Sequence, residues 1–569
     1  MNTVEILLFS IAVIGVISLG VWKSRQHAEE TGSAASSYFL AGRGLSWYLV
    51  GFSLIAANIS TEQFVGMSGK AADWLGMAIA SYEWMAAITL IFVAFVLLPK
   101  FLKVGIYTAP EFLEYRYGGF ARTVMALATL LILVGVPTAS VIYSGAKVIS
   151  GYYPDVFILG NLTAACWLIA FLAAGYVFVG GLKACAWTDL VWGAALIIAG
   201  AIVAYLAFQA LGGADPASLV KTATLKDVTT EQLADAGAWE RFQLLNGGSA
   251  EEGGKLHMVR PLSDAEIPWS ALIVGLWIPN LFYWGFNQYI IQRTLGSKSL
   301  AEGQMGIVFA AFLKLLIPFV VVIPGILAFN LYYEQMALSS GDGYDFDGAF
   351  PVLLRNLIKP YPWISWFVLA AIFGAIVSSL ASMLNSASTI ATMDVVRKIK
   401  SDIPDEKLPF WGRGFVVLFV IISASIAPTL AHPSFGGIFT FIQEFQGFIS
   451  SGIIAIFLFG MLVPRAPKFL GWSGIILNAV LYGLLKWWLG DIIVDAGLWF
   501  ADDISFLDRM AICLVVVCAY SAVMTAWKPL QEPVVLPENK DIDLRSSPKA
   551  KMLGMGVVVL TIILYIVFW

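Results

Sequence analysis

The sequence predicts an all-α polytopic membrane protein of about fourteen spans, organised around two helices interrupted in mid-membrane. Three observations lead there. The 569 residues are 59% hydrophobic and only 13% charged, where a globular chain carries about 25% charged residues. Apolar runs of about twenty residues, the length a helix needs to cross a bilayer, recur from one end to the other. Two of these runs carry polar residues where hydrocarbon does not tolerate them. A soluble enzyme is thereby excluded, and one membrane domain, 1–569, accounts for the whole length. The net charge of −4 gives no footing for nucleic acid.

In order, the spans fall at about 3 to 22, 46 to 66, 75 to 99, 121 to 147, 156 to 180, 185 to 211, 268 to 291, 303 to 331, 364 to 393, 412 to 431, 436 to 463, 470 to 489, 507 to 526 and 552 to 569. The first could be a cleaved signal by position, but Glu5 precedes its apolar part and Lys23 and Arg25 follow it. An anchor with its N-terminus outside fits that order better. Assigning loops alternately to the two sides then places 22 Lys and Arg inside and 10 outside. Basic residues collect on the cytoplasmic side, so both termini are placed outside, as an even number of spans requires. Cys166, Cys185, Cys513 and Cys518 lie in apolar spans without metal-type spacing and read as packing residues. The outer stretch Gly341-Asp-Gly-Tyr-Asp-Phe-Asp347 has aspartates at 342, 345 and 347 but lacks the rest of a calcium loop, and reads as a solvated cap.

The second span holds Leu54-Ile-Ala-Ala-Asn-Ile-Ser-Thr-Glu-Gln-Phe64, with Asn58, Ser60, Thr61, Glu62 and Gln63 almost in a row. Such a run survives only inside the protein or beside water, because each unsatisfied polar group in hydrocarbon costs several kcal/mol. The helix is therefore expected to break there and to turn freed carbonyls toward a small solute and a cation. A second break is expected in Gly275-Leu-Trp-Ile-Pro-Asn-Leu-Phe-Tyr-Trp-Gly-Phe-Asn-Gln288, where Pro279 removes a helix donor and Asn280 follows it. Five spans separate the two. An odd number per half places the halves in opposite orientation, which builds a site at the midplane.

Glu83, Lys314, Gln443 and Glu444 lie deep in other spans. A charge at a helix centre costs at least about 2.5 kcal/mol, so these groups should face one another or a hydrated cavity. One reading is a Glu83–Lys314 ion pair that fixes packing. The other adds a ligand whose hydroxyls they bond. Tyr82, Tyr283, Trp284 and Phe439 supply flat apolar faces, while Gln63, Glu83, Asn280, Lys314 and Gln443 supply donors and acceptors. A pyranose, apolar on its face and hydroxylated at its rim, matches that mixture; an amino acid is not excluded by it. Ser378, Ser379 and Ser382 occupy an otherwise small, apolar span. Two serine hydroxyls with the freed carbonyls of Ala56 and Ile59 would cage a hard cation such as sodium. Asp189 would draw that ion inward or cap its own helix.

Ala56-Ala-Asn-Ile-Ser-Thr-Glu-Gln-Phe64, Ala80-Ser-Tyr-Glu-Trp-Met85, Asn280-Leu-Phe-Tyr-Trp-Gly-Phe-Asn-Gln-Tyr-Ile-Ile-Gln-Arg293, Ala310-Ala-Phe-Leu-Lys314 and Ile376-Val-Ser-Ser-Leu-Ala-Ser-Met-Leu-Asn-Ser386 closely resemble the sodium/solute symporter family. Within it they are most similar to bacterial sodium/galactose and animal sodium/glucose cotransporters. The resemblance implies a leucine-transporter-type inverted-repeat core of ten helices at 46–463, an extra helix and loop at 1–45, and three helices with a linker at 464–569. It implies a substrate site of Gln63, Glu83, Asn280, Tyr283, Lys314 and Gln443, with gates at Met67, Tyr82, Phe439 and Trp284. It further implies sodium at Ala56, Ile59, Ala375, Ser378 and Ser379, with Asp189 on the ion path. Ala86 departs from the sodium/galactose transporters, which carry serine there. The expected activity is sodium-driven uptake of a neutral hexose, without an organic cofactor, through the inner membrane of a bacterium. Myo-inositol, sialic acid and an amino acid are the alternative solutes.

Overall fold

The computed structural model describes residues 3–25, 43–338, 343–400, 402–432, 436–540 and 542–569, with the side chains of 3, 21, 24, 25 and 178–184 outside that description. Asp342 of the outer acidic stretch also lies outside it. Helices are the regular structure of the described residues, joined by irregular stretches such as 247–268 and 528–540, and the only bridges of β type among them are three isolated ones.

The membrane passes follow the hydropathy. We label them α1 (Thr3–Arg25), α2 (Trp47–Asn58) continuing into α3 (Ser68–Ala72), α4 (Gly76–Val104), α5 (Gly119–Tyr152), α6 (Leu162–Val177) and α7 (Cys185–Gly213). Then come α8 (Trp269–Ile273), α9 (Trp277–Gly285) and α10 (Gln288–Leu295), three short pieces of one pass. The rest are α11 (Leu300–Met336), α12 (Pro362–Ile399), α13 (Asp405–Ala431), α14 (Ile438–Leu462), α15 (Leu470–Asp495), α16 (Phe506–Trp527) and α17 (Pro548–Val567). α6 and α7 are assigned as one continuous helix. Yet Tyr176 Oη and Thr188 Oγ1 are hydrogen-bonded at 2.7 Å, whereas twelve residues of straight helix rise about 18 Å. They are therefore two passes lying side by side.

α12 and α11 are the most enclosed long helices, with 89% and 78% of their apolar windows buried; α16 and α17 are buried over only 22%. The inner bundle thus packs protein against protein, and the last passes face lipid. α1 is no loose anchor. Phe9 packs on Phe373 with ring centroids 5.7 Å apart, and Val13 joins Trp192 of α7 and Ala370 of α12 in one cluster. Gly374 makes that possible, because a Cβ there would lie 2.1 Å from the Trp192 ring.

The first break falls where the sequence places it. α2 ends at Asn58, and Ile59 leaves the helical region at φ −84, ψ 98. Past the bend the chain rewinds through a widened turn, Gln63–Met67, into α3. The second break falls at the two ends of the expected stretch rather than at its proline. Pro279 lies inside α9 at its third residue, where the amide has no intrahelical acceptor and proline is tolerated. The chain instead leaves helical geometry at Val274, φ −130, and again at Phe286–Asn287, where Asn287 is extended at ψ 122. Glycines flank both places, Gly275 and Gly285.

Candidate functional site

The first break is held open by a side chain. In an unbroken helix the amide of Ser60 would bond the carbonyl of Ala56, four residues back. Here Ser60 N donates to Gln63 Oε1 at 3.1 Å. This is half of a capping box, Ser60 at the cap and Gln63 reaching back from the third position. The released Ala56 carbonyl accepts from Ser379 Oγ on α12 at 3.2 Å, and Ala57 O lies 3.5 Å from the same hydroxyl. The interruption thereby presents two carbonyls and a serine hydroxyl to one point.

A cavity of about 50 Å³ lies beside the break, room for roughly three or four waters. Every residue expected to bind solute lines it: Gln63, Glu83, Asn280, Tyr283, Lys314 and Gln443. Lys314, 1% exposed, donates through Nζ to both Glu83 Oε2 and Asn58 Oδ1. Asn58 Nδ2 then donates to Tyr283 Oη at 2.9 Å, which makes one chain of hydrogen bonds from α4 through α11 and α2 to α9. Lys314 Nζ also stands 5.2 Å from the Trp284 ring centroid, a cation–π distance. Asn280 Nδ2 bonds Leu276 O at 3.0 Å within its own segment.

Toward the side that carries the long 214–268 loop, Tyr82 and Phe439 cross edge to face with centroids 4.8 Å apart. At the opposite end Tyr283 meets Tyr289 at 5.6 Å, also edge to face. Met67, expected beside Tyr82 and Phe439, is buried but does not line the cavity. Glu444 turns away from it altogether, pairing with Lys486 at 2.7 Å and Arg509 at 3.1 Å.

Below the break sits a second charge centre. Asp189 accepts from Ser378 Oγ and Ser53 Oγ, and Arg293 Nη2 stands 3.4 Å from its carboxylate. Arg293 Nε donates to Ser53 O at 3.0 Å and Ser53 Oγ at 2.7 Å, and its two Nη atoms reach Tyr289 O and Ser382 Oγ. Asp189 and Arg293 are both fully buried, so Asp189 is not an interfacial helix cap. Of the expected ion ligands, Ala56 and Ser379 meet directly and Ser378 turns to Asp189. Ile59 and Ala375 are buried in the same core cluster.

Asn58, Glu62, Tyr289 and Gln446 also line the cavity. Gln446 was legible as the residue three after Gln443 on one helix face, and Asn58 as the last residue before the break. Arg293 ends one of the stretches that carry the family resemblance, but the sequence placed it in an inner loop and gave it no role.

The outer acidic stretch caps a second cavity, of about 390 Å³, lined by Lys70, Trp74, Lys147, Glu266, Asp345 and Asp347 among others. Lys147 pairs with Asp345 at 2.6 Å and Lys70 with Glu266 at 2.5 Å, while Asp347 accepts from Ile438 N at the start of α14.

Residues 38–476 match the model of the sodium:solute symporter family. The chain belongs to that family. It is therefore a sodium-coupled transporter rather than an enzyme, with sodium as its coupling ion. This symporter is 36% identical to the sodium/glucose cotransporter of Vibrio parahaemolyticus, across 100% of this chain and 99% of the relative. It is 30% identical to the human sodium/myo-inositol cotransporter, across 84% of this chain and 67% of that one. Among solved structures, a substrate-bound outward-open sodium-coupled sialic acid symporter superposes with a TM-score of 0.70 at 20% identity, covering 94% of this chain and 99% of the other. The symporter thus has the leucine-transporter-type fold, its two broken passes meeting at the cavity.

Proposed function

We propose that this symporter carries a neutral hexose, glucose or galactose, into the cell with sodium. One observation carries the reading: Glu83 and Lys314 neutralise each other inside the solute cavity. A solute entering there meets a matched donor and acceptor rather than an unpaired charge. Hydroxyls exchange with such a pair at little cost, because each can give and take a hydrogen bond. A carboxylate or ammonium solute would have to split the pair and leave one partner buried alone, a penalty of about 3–5 kcal/mol. The amides of Gln63, Asn280 and Gln443 and the faces of Trp284, Tyr82 and Phe439 suit the rim and ring of a pyranose. The full-length likeness to a protein named as a sodium/glucose cotransporter supports the same class. Myo-inositol, also neutral and polyhydroxylated, is the competing solute that the second likeness favours; sialic acid, a carboxylate, fits the paired charges less well.

In this reading sodium sits among Ala56, Ile59, Ala375, Ser378 and Ser379, and Asp189 lies on its path inward. The ion ties the first broken helix to α12 and so steadies Asn58, which holds Tyr283 under the solute. Its departure inward loosens Asn58 and frees Tyr283 to open. Tyr82 and Phe439, with Met67 behind them, close the outer side. The ten-helix core spans 46–463, and the protein lies in a bacterial inner membrane with both termini outside.

Uptake of radiolabelled glucose, galactose and myo-inositol into proteoliposomes, with and without an inward sodium gradient, tests the proposal. Sodium-dependent accumulation of a hexose is expected, lost in Gln63→Ala and shifted to higher sodium in Ser379→Ala. Accumulation of myo-inositol alone would replace the hexose. Wild-type uptake by Gln63→Ala would remove that residue from the site.

A further inference from the structure

Among the described residues, five charged side chains are buried around the two breaks: Glu62, Glu83, Asp189, Lys314 and Arg293. Four of them close on each other. Lys314 pairs with Glu83 and Arg293 with Asp189. Glu62 is the remainder. It is 4% exposed and lines the solute cavity, and its Oε2 has no hydrogen-bond partner.

The groups that face it across the cavity leave it unmatched. α4 contributes Tyr82 and Glu83, α9 and α10 contribute Tyr283 and Tyr289, and α11 contributes Lys314, whose ammonium is already shared between Glu83 and Asn58. α5 brings Pro137, and α14 brings only amides and apolar groups. The buried core therefore carries one net negative charge. A lone carboxylate at low dielectric is costly, and such a group is neutralised by a bound cation or by a proton. The expected sodium cage of carbonyls and hydroxyls is itself uncharged. One sodium there brings the count to zero, so the state left unbalanced is the sodium-free one.

We propose that Glu62 is a proton site: its carboxyl holds a proton while the carrier is empty of sodium and gives it up as sodium binds. The proton leaves Oε of Glu62 for water on the open side, and the carboxylate that remains balances the incoming ion. The empty carrier then returns neutral at its core, and the proton travels opposite to sodium over the cycle. This inference rests on the sodium-symport reading but not on which solute is carried.

The test needs no solute. Sodium chloride is added to the purified full-length protein in weakly buffered, sodium-free detergent solution. Released protons are counted with a pH electrode, and sodium binding is followed by thermal stabilisation of the same sample. Near one proton per chain is expected from the wild type and almost none from Glu62→Gln, with sodium still stabilising both. Glu62→Asp, which keeps a carboxyl at the site, is expected to restore release and serves if the glutamine variant fails to fold. Stabilisation of the wild type by sodium without proton release, or equal release from Glu62→Gln, overturns the proton site alone. No sodium effect of either kind overturns the symport reading as well.

Discussion

The symporter buries two ion pairs within a few turns of each other, and they are finished differently. Arg293 and Asp189 are sealed: the guanidinium reaches two backbone carbonyls and two serine hydroxyls besides the carboxylate, and Asp189 accepts from Ser53 and Ser378. Lys314 and Glu83 line a cavity with room for water, and Lys314 has only Glu83, Asn58 and the Trp284 face as partners. The difference separates a closed fixture from a pair open to exchange. A saturated network holds four segments in one arrangement. A pair left beside water can trade partners with whatever enters.

The sharpest way to break this comparison is to cut the sealed pair. Arg293→Met leaves Asp189 charged and buried, and Asp189→Ala does the same to Arg293. Each is expected to destabilise the protein by about 3–5 kcal/mol, seen as a large drop in melting temperature and in yield of monodisperse protein. The double variant Arg293→Met with Asp189→Leu should recover much of the loss. A single variant as stable as wild type would show that the centre is not closed.

A smaller stability effect with a larger functional one is expected at the cavity pair. Lys314→Met strands Glu83, but water in the cavity relieves part of the penalty, so about 1–3 kcal/mol is expected. Sodium-driven uptake should nevertheless fall by about a hundredfold, the equivalent of about 2.7 kcal/mol. Lys314→Met with Glu83→Leu should restore the melting temperature and not the uptake. If the double variant transports normally, the pair is only packing, the alternative that the sequence left open.

These two centres also mark how far the sequence could be read. The number of passes, the first break and the six residues that come together around the cavity were legible, because lipid forbids unsatisfied polar groups and each such residue in an apolar run advertises itself. The stretch that holds the second break was legible as well, but the break was tied to Pro279; proline disrupts a helix interior and not its first turn, and the start of α9 was not visible in the residue pattern. Arg293 was missed for a related reason: counting charges by loop assigned it to the inside surface, whereas α10 carries it back under the first break. Glu62 was seen only as one polar residue in a run. That its Oε2 lacks a partner is a property of six segments together and is written in none of them.

The smallest effect sharpens the contrast between both buried centres and the outer vestibule, where charges stay close to water. Burial, with Asp345 nearby and Lys147 opposing, pushes the Asp347 carboxyl up to about 6. Burial likewise pushes Asp73 up to about 6, against the pull of Lys70. Between the ordinary carboxyl range near 4 and about 6, the folded protein therefore binds more protons than the unfolded chain. Stability contributed by these groups is present at the acid end of that window, declines as pH rises through it, and is level above it. The melting temperature should accordingly fall slightly from about pH 4 to 6, and Asp347→Asn should flatten part of that slope while leaving proton release by sodium unchanged. A slope that survives in both Asp347→Asn and Asp73→Asn would place the titrating group elsewhere. A slope that vanishes in Glu62→Gln would move it into the membrane core.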